Sequence, residues 1–294
     1  MKILIAISSK EYSGPTLDAG MNIARSLRAS TTIVDVGEKI SEFNVKDIGL
    51  VNDIMETWGI DRPGIDVLEW AYSYLKKNRF IKNKNTIGDL PKHLLVEKND
   101  GRAKIFLESQ TIKNLTLVLR NGEIIEELRD EVKANKYDLT IIGGSGKRNM
   151  AHDFVQYIDS SIFIVNNFNL KQNYKILLAV NDSLGTSKAV KYGVRVAQAF
   201  NNKVNLLTVS KNNDFKVGYK KASDRALKMM RRSGVEAEVH FKVGDPVDTI
   251  VKTAGRENII VMGASRKSPL TKFFKGSKPL NVMRKCKCPV LIVK

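Results

Sequence analysis

The sequence predicts an α/β protein made of two tandem domains, each an open parallel sheet with helices on both faces. Short runs of apolar residues recur without a polar break, which is typical of strands buried on both faces. Between these runs lie longer segments with apolar residues at helical spacing. The strand–helix series occurs twice, and 294 residues are enough chain for two domains.

The repeat is carried by three segments that recur in the same order. In the first and second halves respectively they are residues 2–7 and 175–180, 138–148 and 258–268, and 162–165 and 290–293. Such internal similarity indicates one structural unit used twice. We therefore expect domains at residues 1–168 and 174–294, joined by a short polar linker.

The first copy is longer than the second by about 53 residues between its first strand and its glycine turn. We place this insertion at about residues 37–113. Within it, residues 65–75 have helical spacing, and residues 93–107 resemble a β-hairpin around Asn-Asp-Gly.

The remaining elements follow from periodicity and from capping residues. The predicted helices are 16–28, 123–134, 187–200 and 219–232, and the predicted strands are 31–36, 115–119, 204–209 and 236–243. Asp245 is a suitable N-cap for a further helix, and Pro246 suits the first turn of that helix.

The second copy ends in a basic, glycine-containing loop. An apolar strand is followed by Gly263, then by a lysine-rich stretch, the step Gly276-Ser277 and a short helical pattern. From Asn258 to Lys294 there are nine Lys or Arg residues and no Asp or Glu. Backbone N–H groups and a hydroxyl before a helix can bind an anion. The stretch fits a phosphate site, and it also fits a glycine turn with a helix cap on a solvated basic face.

This loop resembles the nucleotide loop of the universal stress protein family, whose ATP-binding pattern is Gly, two residues, Gly, nine residues, Gly, then Ser or Thr. Gly263, the nine residues 267–275 and the step Gly276-Ser277 match that pattern, whereas Arg266 stands at the second glycine. The resemblance is strong in the second copy and weak in the first. It implies a tandem member of the family, with two Rossmann-like domains of the adenine nucleotide alpha hydrolase type.

The resemblance also implies a ligand and the residues that bind it. The ligand is an adenine nucleotide, ATP foremost, with accompanying Mg²⁺ left open. The implied binding residues are Val180, Asn181, Val209, Met262, Gly263, Ser265, Arg266, Gly276, Ser277 and Lys278. Asn181 stands where ATP-binding relatives carry an Asp near the adenosine, and Val209 would lie against the base.

Two departures bear on this site. Arg266 either clamps a phosphate with its guanidinium or fills the pocket and excludes ATP. Pro279 lacks an N–H where a phosphate contact would be useful, although it suits the start of a helix. The first copy has no counterpart of Gly276-Ser277, so we expect no triphosphate site there.

Composition limits the class of protein and its partners. The net charge of +18 favours anionic partners, while 7% aromatic residues without a cluster argue against nucleic acid. No apolar run approaches the 18 or so residues of a membrane span, and the apolar run at residues 1–7 is too short for a signal peptide. We therefore expect a cytoplasmic protein. Cys286 and Cys288 are too few for a disulfide framework.

The function favoured by the sequence is regulatory binding of an adenine nucleotide in a stress response, rather than catalysis. Two alternatives stay open. The chain could be an interaction protein that docks an anionic partner on its basic surface, or a slow ATP hydrolase with Asp182 as its metal-binding carboxylate. The resemblance implies an intrachain pseudo-dimer through residues 162–165 and 290–293, and it leaves open a homodimer and an unidentified protein partner.

Overall fold

The computed structural model describes residues 1–39, 63–81, 90, 96–97, 102–109, 111–144, 148–264 and 277–294. The chain divides into two compact units, Met1–Thr140 and Ile141–Lys294. We call these the first and second units.

The first unit contains an open sheet with helices connecting its strands. Its elements are β1 (Lys2–Ile7), α1 (Gly14–Ser26), β2 (Ser30–Gly37), α2 (Ile65–Lys77), β3 (Val96–Glu97), β4 (Ala103–Leu107), β5 (Leu115–Asn121), α3 (Ile124–Asn135) and the start of β6 (Leu139–Gly143). β1, β2 and β5 are parallel neighbours, and β6 lies next to β1. β4 pairs antiparallel with β5, and β3 pairs antiparallel with β4.

The second unit repeats this parallel arrangement. Its elements are α4 (Arg148–Tyr157), β7 (Ser161–Val165), β8 (Lys175–Ala179), α5 (Leu184–Phe200), β9 (Val204–Ser210), α6 (Val217–Arg232), β10 (Ala237–Val243), α7 (Pro246–Ala254), β11 (Asn258–Gly263), α8 (Lys278–Lys285) and β12 (Val290–Val293). The strand order is β10-β9-β8-β11-β12-β7. All neighbours are parallel except β7, which runs antiparallel to β12.

The predicted α/β fold class is confirmed. The expected pairing of residues 162–165 with residues 290–293 is present, with Ile164 opposite Val290. The predicted helices are observed with bounds shifted by at most three residues, and α4 is an addition that periodicity did not predict. The insertion does form an antiparallel β3–β4 pair, whose turn lies outside the described residues.

The burial of these strands explains why their sequences are unbroken runs of apolar residues. Every residue of β7 and of β12 is buried, as are the three central residues of β8. Each large side chain removed from water in this way stabilises the fold by roughly 1.5–3 kcal/mol. Alternating polar residues would be left unpaired in strands that are covered on both faces.

The two copies of the repeat end with the same backbone hydrogen bond. The Gly144 N–H donates to the Val165 carbonyl at 2.9 Å, and the Ala264 N–H donates to the Val293 carbonyl at 2.7 Å. In each case the residue after a central strand is tied to the end of the following strand. The repeat seen in the sequence therefore corresponds to a repeat in hydrogen bonding.

The two cysteines lie together at the end of α8. Cys286 is the C-cap residue of that helix, and its thiol donates to the carbonyls of Met283 and Cys288 at 3.5 and 3.6 Å. The Cys288 side chain is fully buried and lies within hydrogen-bond reach of the Cys286 sulfur, a contact that lowers the pKa of Cys286.

A buried carboxylate connects the inserted strand β4 to the rest of the first unit. Glu131 of α3 has no exposed surface, and it accepts two hydrogen bonds from Arg102 at 2.8 Å and one from Arg120 at 3.1 Å. Tyr137 and Asn135 donate to the same carboxylate at 3.0 and 2.9 Å. Arg102 immediately precedes β4, so this network links the inserted strand to helix α3.

We expect Glu131→Ala to lower the free energy of unfolding by about 3–5 kcal/mol, because it removes the fully buried carboxylate that pairs with Arg102 and leaves Arg120 with Glu127 as its carboxylate partner. Urea denaturation monitored by circular dichroism measures this loss. The matched control is Asp130→Ala on the same helix, which removes only an exposed ion pair with Arg129 and should cost about 1 kcal/mol or less. Equal losses for the two variants would contradict the structural role of the network.

Candidate functional site

The candidate site lies at the carboxyl ends of β8, β9 and β11. In the sheet, β8 lies between β9 and β11. After β8 the chain continues to β9 on one side, and after β10 it returns to form β11 on the other side of β8. The strand order therefore reverses at β8. In open parallel sheets, ligands bind in the crevice that forms outside such a reversal point.

Asn181 organises the loop that follows β8. Its side-chain oxygen accepts hydrogen bonds from the Ser183 N–H at 3.0 Å, the Ser183 hydroxyl at 2.6 Å and the Thr186 hydroxyl at 2.6 Å. The Asn181 N–H in turn donates to the Thr186 hydroxyl oxygen at 3.3 Å. Because the Ser183 N–H can only donate, the amide oxygen must face this loop. The Asn181 NH₂ group makes no hydrogen bond to the part of the chain that is described.

The start of α5 lies directly against the end of β11. A Cβ atom added at Gly185 would lie 2.4 Å from the Ala264 carbonyl oxygen, and one added at Gly263 would lie 2.5 Å from the Gly185 carbonyl carbon. Both obstructing atoms are backbone, so neither can move aside cheaply. Gly263 does not have a positive φ. Close approach of another backbone segment, rather than a left-handed conformation, therefore requires glycine at position 263.

A third loop, between β9 and α6, closes the same edge. A Cβ atom added at Gly218 would lie 3.0 Å from a carboxylate oxygen of Asp182, so the first turn of α6 sits beside the β8 loop. The Ser210 hydroxyl donates to the Asp214 carbonyl at 3.3 Å and shapes the turn. Val209, expected to contact the base, is half-buried at the end of β9.

Ser277 starts helix α8 by capping it. Its hydroxyl oxygen accepts a hydrogen bond from the Leu280 N–H at 3.4 Å, and Pro279 lies in the first turn. Lys278 is exposed. The helix-cap interpretation is thus correct. Because Pro279 has no N–H, and the Leu280 and Asn281 N–H groups donate to Ser277, the N–H groups that can face an anion at this helix start are those of Ser277 and Lys278.

The other predicted binding residues have different surroundings. Val180 and Met262 are buried, so their side chains belong to the core and only their backbones can face a ligand. Ser265, Arg266 and Gly276 lie outside the described residues. The structure therefore brings the β8 loop, the β9 loop and the end of β11 together and leaves the lysine-rich loop undescribed.

Sequence reasoning missed three residues of this site: Gly185, Thr186 and Gly218. The run Asn181-Asp182-Ser183 is rich in turn-forming residues and could have moved the predicted start of α5 three residues earlier. Nothing local marks Gly185, because the atoms that exclude a side chain there come from residue 264.

Helix termini dominate the electrostatics of this edge. The helices α5, α6 and α8 begin there, and each terminus carries a positive partial charge of about half an elementary charge. α7 also begins there, but Asp245 caps it through the Asp248 and Val247 N–H groups at 3.0 and 2.9 Å. These hydrogen bonds, that from Asp248 foremost, hold the pKa of Asp245 below its ordinary value.

The corresponding edge of the first unit is filled by protein. A Cβ atom added at Gly37, the last residue of β2, would lie 2.1 Å from the Pro63 carbonyl oxygen. The Asn121 amide donates to that same carbonyl at 3.0 Å. Beside it, burial and then the charge of Asp66 raise the pKa of Asp35 to about 7. A segment of the insertion thus occupies the carboxyl end of β2, next to a buried acid.

The described part of the chain contains no cluster of three or more His, Cys, Asp or Glu side chains placed to hold a metal ion. None of the helices in those ranges is both long and apolar enough to cross a membrane.

Comparison with known families identifies the second half of the chain. Residues 173–294 match the model of the universal stress protein family. No curated protein matches the chain significantly. The lysine-rich loop and the ends of β8, β9 and β11 fall within the matched region.

Solved structures extend the likeness to the full length. A universal stress protein from Archaeoglobus fulgidus DSM 4304 has a TM-score of 0.60 at 14% identity and covers 100% of this chain and 96% of its own. A protein from Pseudomonas aeruginosa UCBPP-PA14 has the same TM-score at 12% identity and covers 100% and 92%. The whole chain therefore has the fold of solved universal stress proteins, which is consistent with a tandem member.

Single-domain structures match about two fifths of the chain. A universal stress protein in complex with cAMP is 28% identical over 41% of this chain and 96% of its own, with a TM-score of 0.34.

We expect Gly185→Ala to separate α5 from the end of β11, because its methyl group would meet the Ala264 carbonyl oxygen. The loss in the free energy of unfolding should be about 1–3 kcal/mol, as for other overpacked sites. Gly14→Ala is the matched control, since it adds the same methyl group at the start of α1 with no atom within 4 Å. That variant should be neutral or gain up to about 1 kcal/mol. If urea denaturation gave equal results for both variants, close approach would not explain Gly185.

Proposed function

Because residues 173–294 carry a universal stress protein domain, we propose that this chain binds an adenine nucleotide, ATP foremost, at the carboxyl edge of its second unit. The bound nucleotide acts as a regulatory signal in a cytoplasmic stress response rather than as a substrate that is turned over.

The close approach of Gly185 to Gly263 and Ala264 carries this proposal. It brings the N-terminus of α5 to the end of β11 at the point where the strand order reverses. The positive ends of α5, α6 and α8 then surround one crevice, an arrangement that attracts phosphate groups. No anionic side chain is needed to hold this crevice together, since backbone contacts and the Asn181 amide do so.

Each part of the nucleotide has a proposed neighbour. Val209 contacts the base at the end of β9, and the Asn181 NH₂ group donates to the ribose, because its oxygen is occupied by Ser183 and Thr186. The phosphates lie against the backbone after Gly263 and the first turn of α8. Ser265, Arg266, Gly276, Ser277 and Lys278 complete this phosphate site on the strength of the loop resemblance.

We propose one nucleotide per chain. In the first unit, the Pro63 carbonyl and the Asn121 side chain close the end of β2.

Isothermal titration calorimetry with ATP, ADP, AMP and cAMP tests the proposal on the full chain. We expect saturation at one nucleotide per chain, with guanosine nucleotides binding more weakly. Incubation with ATP and Mg²⁺ followed by chromatography separates binding from hydrolysis. Accumulation of ADP that stops in Asp182→Asn would favour the hydrolase instead.

We expect Arg266→Gly to weaken ATP binding roughly tenfold or more, because a charge-assisted hydrogen bond to phosphate contributes roughly 1.5–3 kcal/mol and ~1.4 kcal/mol is tenfold in affinity. The matched control is Arg256→Gly, which removes the same charge just before the amino end of β11 and should leave affinity almost unchanged. Calorimetry compares the two dissociation constants. Tighter ATP binding by Arg266→Gly would show that Arg266 closes the pocket.

A second candidate function, docking of an anionic macromolecule, is favoured by helix α6. Its exposed face carries six cationic residues and one acidic residue: Lys220, Lys221, Asp224, Arg225, Lys228, Arg231 and Arg232. These side chains lie along the helix, away from the nucleotide crevice at its first turn. Binding to an acidic protein without nucleotide binding would support this candidate over the first.

A further inference from the structure

Strand β10 leaves one edge of the second unit's sheet uncovered within the described ranges. It pairs with β9 on one side, and the strand order ends there. The other end of that order is covered by antiparallel β7, and in the first unit antiparallel β4 covers β5. β3 also has a single neighbour, but it is only two residues long. An uncovered edge of seven residues is a template for another strand.

The backbone groups that face this open edge can be identified from the hydrogen bonds to β9. The Val204 N–H donates to the Glu236 carbonyl at 2.9 Å, and the Gly244 N–H donates to the Ser210 carbonyl at 2.8 Å. Each strand residue points its N–H and C=O to one side, and successive residues alternate. Even-numbered residues therefore face β9. The outward-facing residues are Ala237, Val239, Phe241 and Val243.

We propose that β10 pairs with β10 of a second copy of this chain, antiparallel, with a two-fold axis through His240. In this register all seven residues of β10 are paired. Ala237 lies opposite Val243 of the second copy, Val239 opposite Phe241, and Glu238 opposite Lys242. The pairing goes beyond the proposed nucleotide function and does not depend on it.

The register satisfies the hydrogen-bonding geometry of an antiparallel pair. The outward-facing residues meet one another, so each of those pairs exchanges two backbone hydrogen bonds. Glu238 and Lys242 fall at the alternate positions, where side chains across the pair are closer together. Opposite charges placed there stabilise the pairing.

The two neighbouring registers fit less well. Opposite residues must point to the same face of the sheet, so the axis has to pass through a residue. With the axis through Val239, Val243 would extend past the end of β10 of the second copy and would have no partner in that strand. With the axis through Phe241, His240 would lie opposite Lys242. The axis through His240 is the one that matches both charged residues.

Exposed apolar side chains favour a partner at this edge. Phe241 is 42% exposed and Val243 is 47% exposed, although both belong to a regular strand. The ring of Phe215 lies 5.1 Å from that of Phe241 and fixes its orientation. In the proposed register Phe241 and Val243 would pack across the axis against Val239 and Ala237 of the other copy.

The net positive charge of the chain opposes this association, so the stability of the dimer should depend on salt concentration. Helix α6 packs over β10 with its buried face, so its exposed basic face would approach the same face in the second copy. Salt screens exposed charges over a Debye length of about 8 Å at 0.15 M. We therefore expect the dimer to strengthen between 0.05 and 0.3 M salt, whereas an acidic peptide on the same edge would bind more weakly.

Sedimentation equilibrium of the full chain tests the proposal. The average mass should rise from 32.9 kDa toward twice that value with protein concentration. Glu238→Lys and Lys242→Glu should each weaken the dimer by at least about tenfold, since each places like charges opposite one another. The double variant should restore it, because the swapped charges again face each other. Circular dichroism checks that every variant is folded.

A cross-link tests the position of the axis. In a Cys286→Ser and Cys288→Ser background, His240→Cys should give a disulfide-linked dimer with oxidised glutathione. Directly opposed residues there lie about 4.5 Å apart between Cα atoms, within the range of a disulfide. Lys242→Cys is the control, because its two copies would be four residues apart along the strands.

Several results would overturn the proposal: a mass that stays monomeric at all concentrations, a dimer unaffected by the single charge changes, or single losses that the double variant does not restore. Equal cross-linking by His240→Cys and Lys242→Cys would do the same.

Discussion

The backbone contact between Gly185 and the end of β11 is the constraint on which the second unit's site depends. Two main chains approach so closely that neither residue 185 nor residue 263 has room for a Cβ atom. The contact places the first turn of α5 at the reversal point of the sheet, and the Asn181 side chain then fixes the loop between them. A ligand there meets backbone N–H groups and helix termini, which suits phosphate and requires no buried charge.

The same sheet architecture has different consequences in the two units, because different segments reach the strand ends. In the first unit, residues 63–64 fill the carboxyl end of β2, and Glu131 anchors the inserted strand β4 through Arg102. The insertion thus covers both an edge and a crevice. In the second unit the first turns of α5 and α6 lie beside the corresponding strand ends, and β10 has β9 as its described neighbour. We therefore propose that binding is confined to the second unit.

Local patterns predicted most of the fold, and non-local contacts account for what was missed. The apolar runs that became β8 and β11 are buried on both faces, and Asp245 with Pro246 marked the start of α7 through capping chemistry. By contrast, the sequence does not distinguish Glu131 from an exposed acidic residue of a helix. Its burial depends on Arg102 and Arg120, which reach it from β5 and from the residue before β4. Gly263 was identified from the loop pattern, but that pattern does not reveal the close approach of Gly185 that requires a glycine there. Gly185 had no local signal at all, because its constraint comes from residue 264.

We propose that an adenine nucleotide binds at the carboxyl edge of the second unit and not in the first. A ¹H–¹⁵N correlation titration of the labelled full chain with ATP tests this proposal, because the amides of the two edges report separately. We expect saturable shifts at Asn181, Gly185, Gly218 and Ala264, with Ser8, Ser13 and Gly64 unchanged. Shifts confined to the first-unit amides, equal shifts at both edges, or no shifts at millimolar ATP would contradict it.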